Sequence, residues 1–265
     1  MTRFVVLLLL FFLSVVGHAQ FHVLHVSGQI QDEKGKQPEL GDMFYDGDGL
    51  YFLTDGARLG LYHSSQGRKF IAVPHGSEGK RFLQNLAEAG RAGVAITNPG
   101  VISSKDELLA YFKRGRFLLL PGTQVVVAPT LFPQEDAGGF FLTFEVRSLG
   151  AKGNAKLSHV GDTLQLNVED MLKMNGKTLK ADDLSGFALV HFDAKKKFRH
   201  VCEVDFVLPE LEVLNAEAQT LLGLMRKLGI NDADRQKAEV LGHLVDFYGQ
   251  PDLDAFNRWY ELLGN

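Results

Sequence analysis

The chain of 265 residues has almost no cysteine, because Cys202 is its single thiol. An internal disulfide is therefore excluded, and burial of apolar side chains has to stabilise the fold. Apolar residues make up 45% of the chain. That content is enough for one large hydrophobic core or for two modest ones.

Concentrated positive charge is also missing. The net charge is −4, and lysine and arginine form no basic stripe. A nucleic-acid backbone requires clustered cations, so the sequence predicts no nucleic-acid partner. Neither a His-Glu-x-x-His nor a Gly-x-Ser-x-Gly motif occurs. The sequence therefore predicts no catalytic residue, no cofactor and no metal ligand, although a site assembled from distant residues stays open.

Only one long apolar run is present, and it lies near the first residue. Arg3 precedes the run Phe4–Leu13, and Gly17 and Ala19 are small residues that follow it. The run is shorter than the roughly 20 residues that span a bilayer, and its flanks are typical of a secretory signal peptide. We expect a signal peptide over residues 1–19, with an uncleaved anchor as the alternative. No span is predicted after cleavage, and the expected location is periplasmic or secreted.

The stretch Glu39–Leu50 holds three aspartates and three glycines. A calcium-binding EF-hand loop requires oxygen ligands at its first, third and fifth positions and glycine at its sixth. With Gly49 at the sixth position, Phe44 falls on the first, so aromatic residues interrupt the ligand series. Glycine and aspartate are also the residues of turns between strands, and the sequence predicts turns here.

Turns and apolar alternation follow a recognisable order through this region. The pattern comprises Val26, Gly28, Ile30, Leu40-Gly41-Asp42, Gly47-Asp48, Leu50, Thr54, Ala57, Leu59, Leu61, Gly67 and Ile71. It resembles the periplasmic domain of FecR-type (ferric-citrate regulator) proteins over residues 22–75. The resemblance implies a small β-module that senses or contacts proteins without catalysis. Those regulators carry a cytoplasmic segment and a membrane span before this domain, whereas a predicted signal peptide precedes it here.

The periodicity changes along the chain and predicts an α+β fold. Ser104 and Glu107 form a capping box that starts a helix, strand signals return at residue 116, and helical spacing follows Pro209, with Asn231 as a helix cap. The fold expected is two antiparallel β-rich regions joined by a helix, followed by a C-terminal helical bundle or hairpin. The predicted segments are a signal peptide (1–19), a FecR-like β-module (20–75), a helical linker region (76–115), a second antiparallel β-region (116–208) and C-terminal helices (209–265).

Several side chains are candidates for a site. Strict alternation from Phe198 to Phe206 places His200 and Cys202 on one face, as in a thiolate–imidazolium pair, with a core cysteine as the alternative. His22 and His25 are three apart in a predicted strand, so they are expected on opposite faces. A possible partner-binding surface on the C-terminal helices, with core packing as its alternative, comprises Phe247, Tyr248, Phe256, Trp259 and Tyr260.

These patterns favour an exported, non-catalytic binding or assembly protein of the bacterial envelope, with FecR-like sensing or scaffolding as its role and an envelope protein as its partner. Two alternatives stay open. One is an exported hydrolase whose site assembles in three dimensions, with His200 or His63 beside carboxylates. The other is a cell-wall or carbohydrate binder that uses Tyr45, Tyr51 and Tyr62. The oligomeric state is not predicted.

Overall fold

The computed structural model describes residues 20–73, 80–82, 100–112, 115–128, 138–174, 177–192 and 197–264. The predicted signal peptide lies outside these residues. Contacts divide the chain into two compact units, residues 1–90 with 220–231 and residues 91–219 with 232–265. The predicted α+β fold, rich in strands and with helices at the C-terminal end, is confirmed.

The first unit contains two antiparallel sheets, in the orders β3-β1-β5-β6 and β2-β4-β7. Their strands are β1 (Gln20–Ser27), β2 (Ile30–Asp32), β3 (Met43–Tyr45), β4 (Gly49–Phe52), β5 (Arg58–His63), β6 (Arg68–Ala72) and β7 (Lys80–Phe82). Alternating apolar residues of these strands form one core, in which Val23, Ile30 and Leu61 are fully buried. The period-2 pattern therefore gives each strand an apolar face that packs inward.

The aspartates of the first unit support turns, as the sequence predicts. Asp32 Oδ1 accepts from the amides of Lys34 and Lys36, both at 2.8 Å. The Asp42 carboxylate accepts from the Glu39 amide, which is the first cause of its lowered pKa. Asp48 accepts from the Tyr45 amide at 2.8 Å. These carboxylates accept hydrogen bonds from backbone amides within the turns. Turn formation therefore accounts for the aspartates without a calcium loop.

The second unit holds the remaining described strands. They are β8 (Val101–Ile102), β9 (Phe117–Leu118), β10 (Thr123–Val127), β11 (Gly139–Val146), β12 (Ala151–Lys156), β13 (Ser158–Val160), β14 (Thr163–Leu166), β15 (Lys173–Met174), β16 (Lys177–Thr178), β17 (Leu184–Phe192), β18 (Phe198–Val204), β19 (Phe206–Val207) and β20 (Gln250–Pro251). They form sheets in the orders β13-β14-β10-β8, β12-β11-β17-β18, β15-β16 and β19-β9-β20.

Three short pairings in this unit are parallel and add to the predicted antiparallel pattern. Strand β10 pairs with β8 in parallel, and β9 pairs in parallel with both β19 and β20. Each partner is distant in sequence, which is what a parallel pairing requires. Turn signals in the sequence report only neighbouring strands and therefore missed these contacts.

Four helices are described: α1 (Lys105–Phe112), α2 (Leu211–Lys227), α3 (Ala233–Phe247) and α4 (Leu253–Leu263). A single helical turn covers Val168–Met171, and 3-10 turns cover Arg147–Leu149 and Ala181–Asp183. Within the described part of the chain, no helix is long and apolar enough to span a membrane.

The helix caps agree with the sequence in all but two details. Ser104 Oγ accepts from the Glu107 amide at 3.1 Å, but the Glu107 carboxylate accepts from the amide of Ser103 instead of the amide of Ser104. The predicted cap of the next helix at Asn231 is wrong by one residue. Asp232 Oδ1 accepts from the Arg235 amide at 2.7 Å and caps α3, since an ionised carboxylate suits the positive helix end.

Candidate binding cleft on the second unit

The sheet β12-β11-β17-β18 has two different faces. Its inner face packs into the core of the second unit through Leu142, Phe144, Leu189, Cys202 and Val204, all of them buried. Its outer face carries residues that are mostly half-buried or exposed. The alternation of the strands creates this difference, because successive side chains point to opposite faces.

A β-bulge in β18 shifts this alternation. His200 pairs with Val190 and Cys202 pairs with Leu189, so Val201 is an extra residue without a partner on β17. Val190 and Leu189 are neighbours on β17 and therefore point to opposite faces. It follows that His200 and Cys202 also lie on opposite faces.

The predicted placement of His200 beside Cys202 is therefore wrong. Cys202 is only 2% exposed and belongs to the core, as the core-cysteine alternative expected. His200 is exposed on the outer face. A thiolate–imidazolium pair cannot form across the thickness of the sheet, and strict alternation failed because a bulge leaves no signature in one sequence.

The outer face is organised in rows of side chains that follow the strand register. One row contains Asn154, Thr143, Ala188 and Glu203, and the next contains Lys156, Phe141, Val190 and His200. A second bulge adds one residue to β17 opposite Thr143–Glu145 and lies at Gly186, whose φ of 61° is left-handed. Glycine adopts this conformation without strain.

An open cleft of about 710 Å³ lies on this part of the sheet. The residues that line it are Phe112, Gly115, Thr143, Phe144, Glu145, Lys152, Gly186, Phe187, Ala188, His200, Glu203, Val204 and Asp205. The volume lies within the range of about 300–1,000 Å³ that is typical of small-ligand sites. The cleft is therefore large enough to accept part of a polymer or a whole small molecule.

Charged side chains of both signs surround the cleft. Three carboxylates, Glu145, Glu203 and Asp205, line it together with His200 and Lys152. The Lys152 ammonium lies 4.0 Å from Glu145 as a solvent-exposed pair, which stabilises little. His200 makes no hydrogen bond to a carboxylate among the described residues, and in that part of the chain no three metal-ligating side chains form a cluster.

An aromatic row adjoins the cleft on the same face. The rings of Phe141 and Phe192 are 5.2 Å apart, and those of Phe192 and Phe198 are 5.6 Å apart, both in edge-to-face geometry. Phe198 is 56% exposed. His200 lies two residues after Phe198, so it borders both the aromatic row and the cleft.

The predicted aromatic surface of the C-terminal helices is largely packed inside the protein. Phe247, Phe256 and Trp259 are buried, and Trp259 Nε1 donates to Asn215 Oδ1 at 2.9 Å. Tyr248 and Tyr260 are half-buried. The core-packing alternative accounts for the three buried rings, while partner binding through the two tyrosines stays a prediction.

The half-buried Tyr248 belongs to a polar cluster with the buried side chains of Glu217 and His243. The Tyr248 hydroxyl bonds to Glu217, and its pKa is raised first by burial and then by the Glu217 charge. His243 Nε2 lies 2.9 Å from Glu217 Oε2, and both side chains are almost fully buried. Glu217 and His243 are buried, so their contact ties α2 to α3 inside the protein.

The histidines of the first unit also differ from the prediction. Strand β1 has a bulge at Leu24, so His22 pairs with Tyr62 and His25 pairs with Gly60. These partners are two apart on β5, so both histidines lie on one face and the predicted opposite faces are wrong. Burial and the Lys227 charge lower the pKa of His22.

The three tyrosines of the carbohydrate alternative do not form a common platform. Tyr62 is 1% exposed, and Tyr45 and Tyr51 belong to different sheets. His63 is buried beside Phe21, and its Nδ1 accepts from the Gln66 amide. Of the two histidines that the hydrolase alternative names, His200 lines the cleft together with carboxylates.

No direct sequence signal identified the cleft residues Thr143, Glu145 and Glu203. A weak signal was the alternation of polar and apolar residues along β11, which predicts one exposed face. Comparisons with family models, with curated proteins and with solved structures each found no match to this chain.

Proposed function

We propose that the protein is an exported, non-catalytic binding protein of the bacterial envelope, and that its binding site is the cleft on the outer face of β12-β11-β17-β18. The observation that carries the proposal is the cleft of about 710 Å³ on an otherwise ordinary antiparallel sheet. Export rests on the apolar run Phe4–Leu13 and the small residues after it.

The arrangement of the polar side chains favours binding over catalysis. A general base requires a partner that orients it and a reacting group within hydrogen-bond reach. His200, Glu203 and Asp205 share the cleft, but no hydrogen bond joins His200 to a carboxylate among the described residues. These groups supply separate donors and acceptors to a ligand instead of a connected relay.

Sensing or scaffolding of the FecR type belongs to the same proposal, as the role of the first unit. Its support is the order of turns and apolar positions between Val26 and Ile71. An envelope protein that contacts this unit, or the half-buried Tyr248 and Tyr260, would be the partner.

A direct experiment separates binding from turnover. The purified protein is first incubated with chromogenic esters, phosphates, glycosides and peptides. It is then immobilised and exposed to an envelope extract, with Glu203→Ala as the site variant. We expect no turnover above that of the His200→Ala variant, and capture of an envelope component that the Glu203→Ala variant loses.

A hydrolase is the second candidate, because His200 and three carboxylates line one cleft. Turnover that both His200→Ala and Glu203→Gln abolish would establish it and would refute the non-catalytic proposal.

A further inference from the structure

An apolar groove of about 440 Å³ lies between the first turns of α2, the second half of α4 and the turn that joins β9 to β10. The apolar part of its lining consists of Pro121, Leu211, Trp259, Leu262 and Leu263. The volume lies within the range of about 300–1,000 Å³ that is typical of small-ligand sites. The groove is separate from the cleft on β12-β11-β17-β18, because the two share no lining residue.

Helical spacing explains why these side chains meet in one groove. Leu211 and Asn215 are four residues apart on α2, and Arg258 and Leu262 are four residues apart on α4. Residues at this spacing lie on the same side of a helix. Leu262 is 74% exposed and Leu211 is 39% exposed, so the groove leaves large apolar side chains open to solvent. A contiguous apolar patch of this kind indicates a binding surface.

The polar groups of the groove are hydrogen-bond donors. Arg258 is the one charged residue among the described residues that line it. Arg258 Nη2 donates to the Gly122 carbonyl oxygen at 2.7 Å, which holds the guanidinium at the groove and leaves its other N–H groups for a ligand. Asn215 Oδ1 accepts from Trp259 Nε1 at 2.9 Å, so the amide nitrogen of Asn215 remains as a donor. A matching ligand offers acceptors and a negative charge.

From the apolar wall and its single cation we propose that the groove binds a free medium-chain fatty acid. The acyl chain lies against Leu211, Trp259 and Leu262, and the carboxylate accepts hydrogen bonds from Arg258. Arginine pairs with a carboxylate through two parallel bonds, and each methylene that leaves water adds to the affinity. This inference goes beyond the proposed function, because it concerns a second site with a ligand of its own.

The charge of the lining separates this ligand from other amphiphiles. A cationic head group would lie beside Arg258 and would be repelled, and a neutral head group would form no charge-assisted bond. An anionic membrane surface attracts clusters of basic side chains, whereas the described lining of the groove has one. The carboxylate of a single chain matches both the apolar wall and the lone cation.

The groove contains its own spectroscopic reporter. Trp259 is the single tryptophan of the chain and lines the groove, so its fluorescence should change when a ligand fills the site. The test is a fluorescence titration of the purified protein with octanoate, decanoate and dodecanoate below their micelle-forming concentrations, with decyltrimethylammonium as the cationic comparison. We expect saturable binding that strengthens by up to about fourfold for each added methylene. The cation should bind at least about tenfold more weakly than decanoate.

Two variants test the head group and the chain separately. Arg258→Gln removes the cation and should weaken decanoate binding roughly three- to tenfold, because an exposed charge-assisted pair is lost. Leu262→Glu places a carboxylate on the apolar wall and should weaken binding at least about tenfold. Both residues are exposed, so both variants should fold. Arg235→Gln is the matched control, since Arg235 is an exposed arginine of α3 that does not line the groove.

The absence of a saturable change with all three acids would overturn the inference, as would decanoate binding that Arg258→Gln and Leu262→Glu leave unchanged. Equal affinity for decanoate and decyltrimethylammonium would overturn the anionic class of the ligand. A dimer in analytical ultracentrifugation that Leu262→Glu dissociates and decanoate does not would assign the groove to a second copy of the chain and would overturn the inference too. The cleft on β12-β11-β17-β18 is tested separately, by capture of an envelope component.

Discussion

The sheets β3-β1-β5-β6 and β12-β11-β17-β18 are both four-stranded and antiparallel, and one-residue bulges interrupt both of them, one in the first sheet and two in the second. They differ in the face opposite their core. In the first sheet that face carries Tyr62 and His25, both buried. In the second sheet the equivalent face carries His200, Glu203 and Phe198, all exposed.

The first sheet is therefore covered on both faces, whereas the second sheet is covered on one face only. A sheet that is covered on both faces contributes stability from both. A sheet that leaves one face open gains little from the residues there, so aromatic and charged side chains on it need another explanation. The open face of the second sheet is therefore the region where we place function.

The largest contrast is expected in thiol reactivity across the bulge of β18. Native Cys202 is buried and should react with a thiol reagent only when the strand opens. A His200→Cys, Cys202→Ala variant should react at least about 1000-fold faster, because closed native states exceed open ones by such factors. The measurement is the labelling rate under native conditions, with the denatured proteins as the reference. Equal rates would place the two positions on one face and would contradict the bulge.

Removal of a ring from the covered face should produce the largest loss of stability. Tyr62 is 1% exposed, so Tyr62→Ala leaves a cavity and should lower the free energy of unfolding by about 3–5 kcal/mol. Urea denaturation monitored by circular dichroism checks this value. A loss below about 1 kcal/mol would show that the outer face of the first sheet is open to solvent.

Acid should weaken the first sheet through its buried histidines. Burial lowers the pKa of His63 in the folded state below the unfolded value of about 6.5. The unfolded chain then binds more protons, so stability is complete above about pH 6.5 and decreases as the pH falls from there towards the folded pKa. His63→Gln should reduce this decrease, and His22 should retain part of it because its pKa is also lowered.

The readout is hydrogen exchange of β5 at pH 7.5 and at pH 5.5. His159→Gln, on the exposed strand β13, is the matched control. An unchanged pH dependence in the His63→Gln variant would show that His63 does not titrate differently on folding.

The smallest effect on stability is expected on the open face. Phe198 is 56% exposed and has one edge-to-face contact, with Phe192, so Phe198→Ala should lower the free energy of unfolding by about 1.5 kcal/mol or less. Urea denaturation beside the Tyr62→Ala variant measures the contrast directly. A loss of several kcal/mol would mean that the aromatic row of Phe141, Phe192 and Phe198 is part of the hydrophobic packing and is not an open binding surface.

Local sequence signals predicted most of the elements. The Gly-Asp turns, the Ser104 cap and the helical spacing after Pro209 depend on neighbours within a few residues, and the structure agrees with them. The parallel pairings of β9 required contacts between distant segments, and no local pattern contains that information.

The candidate site was missed for a related reason. His200 was identified, but the extra residue Val201 moved it away from Cys202 and towards the carboxylates of the cleft. A bulge changes which face every later residue occupies, and its position depends on the partner strand. The same effect at Leu24 reversed the expected relation of His22 and His25.

The most direct test of the open face as the binding face is backbone amide NMR of the protein during titration with the envelope component that the immobilised protein captures. We predict chemical-shift changes that concentrate on β11, β17 and β18 around Thr143, Ala188 and Glu203, with few changes in β1 and β5. Changes centred on the first unit or on the helices α2–α4 would contradict the account.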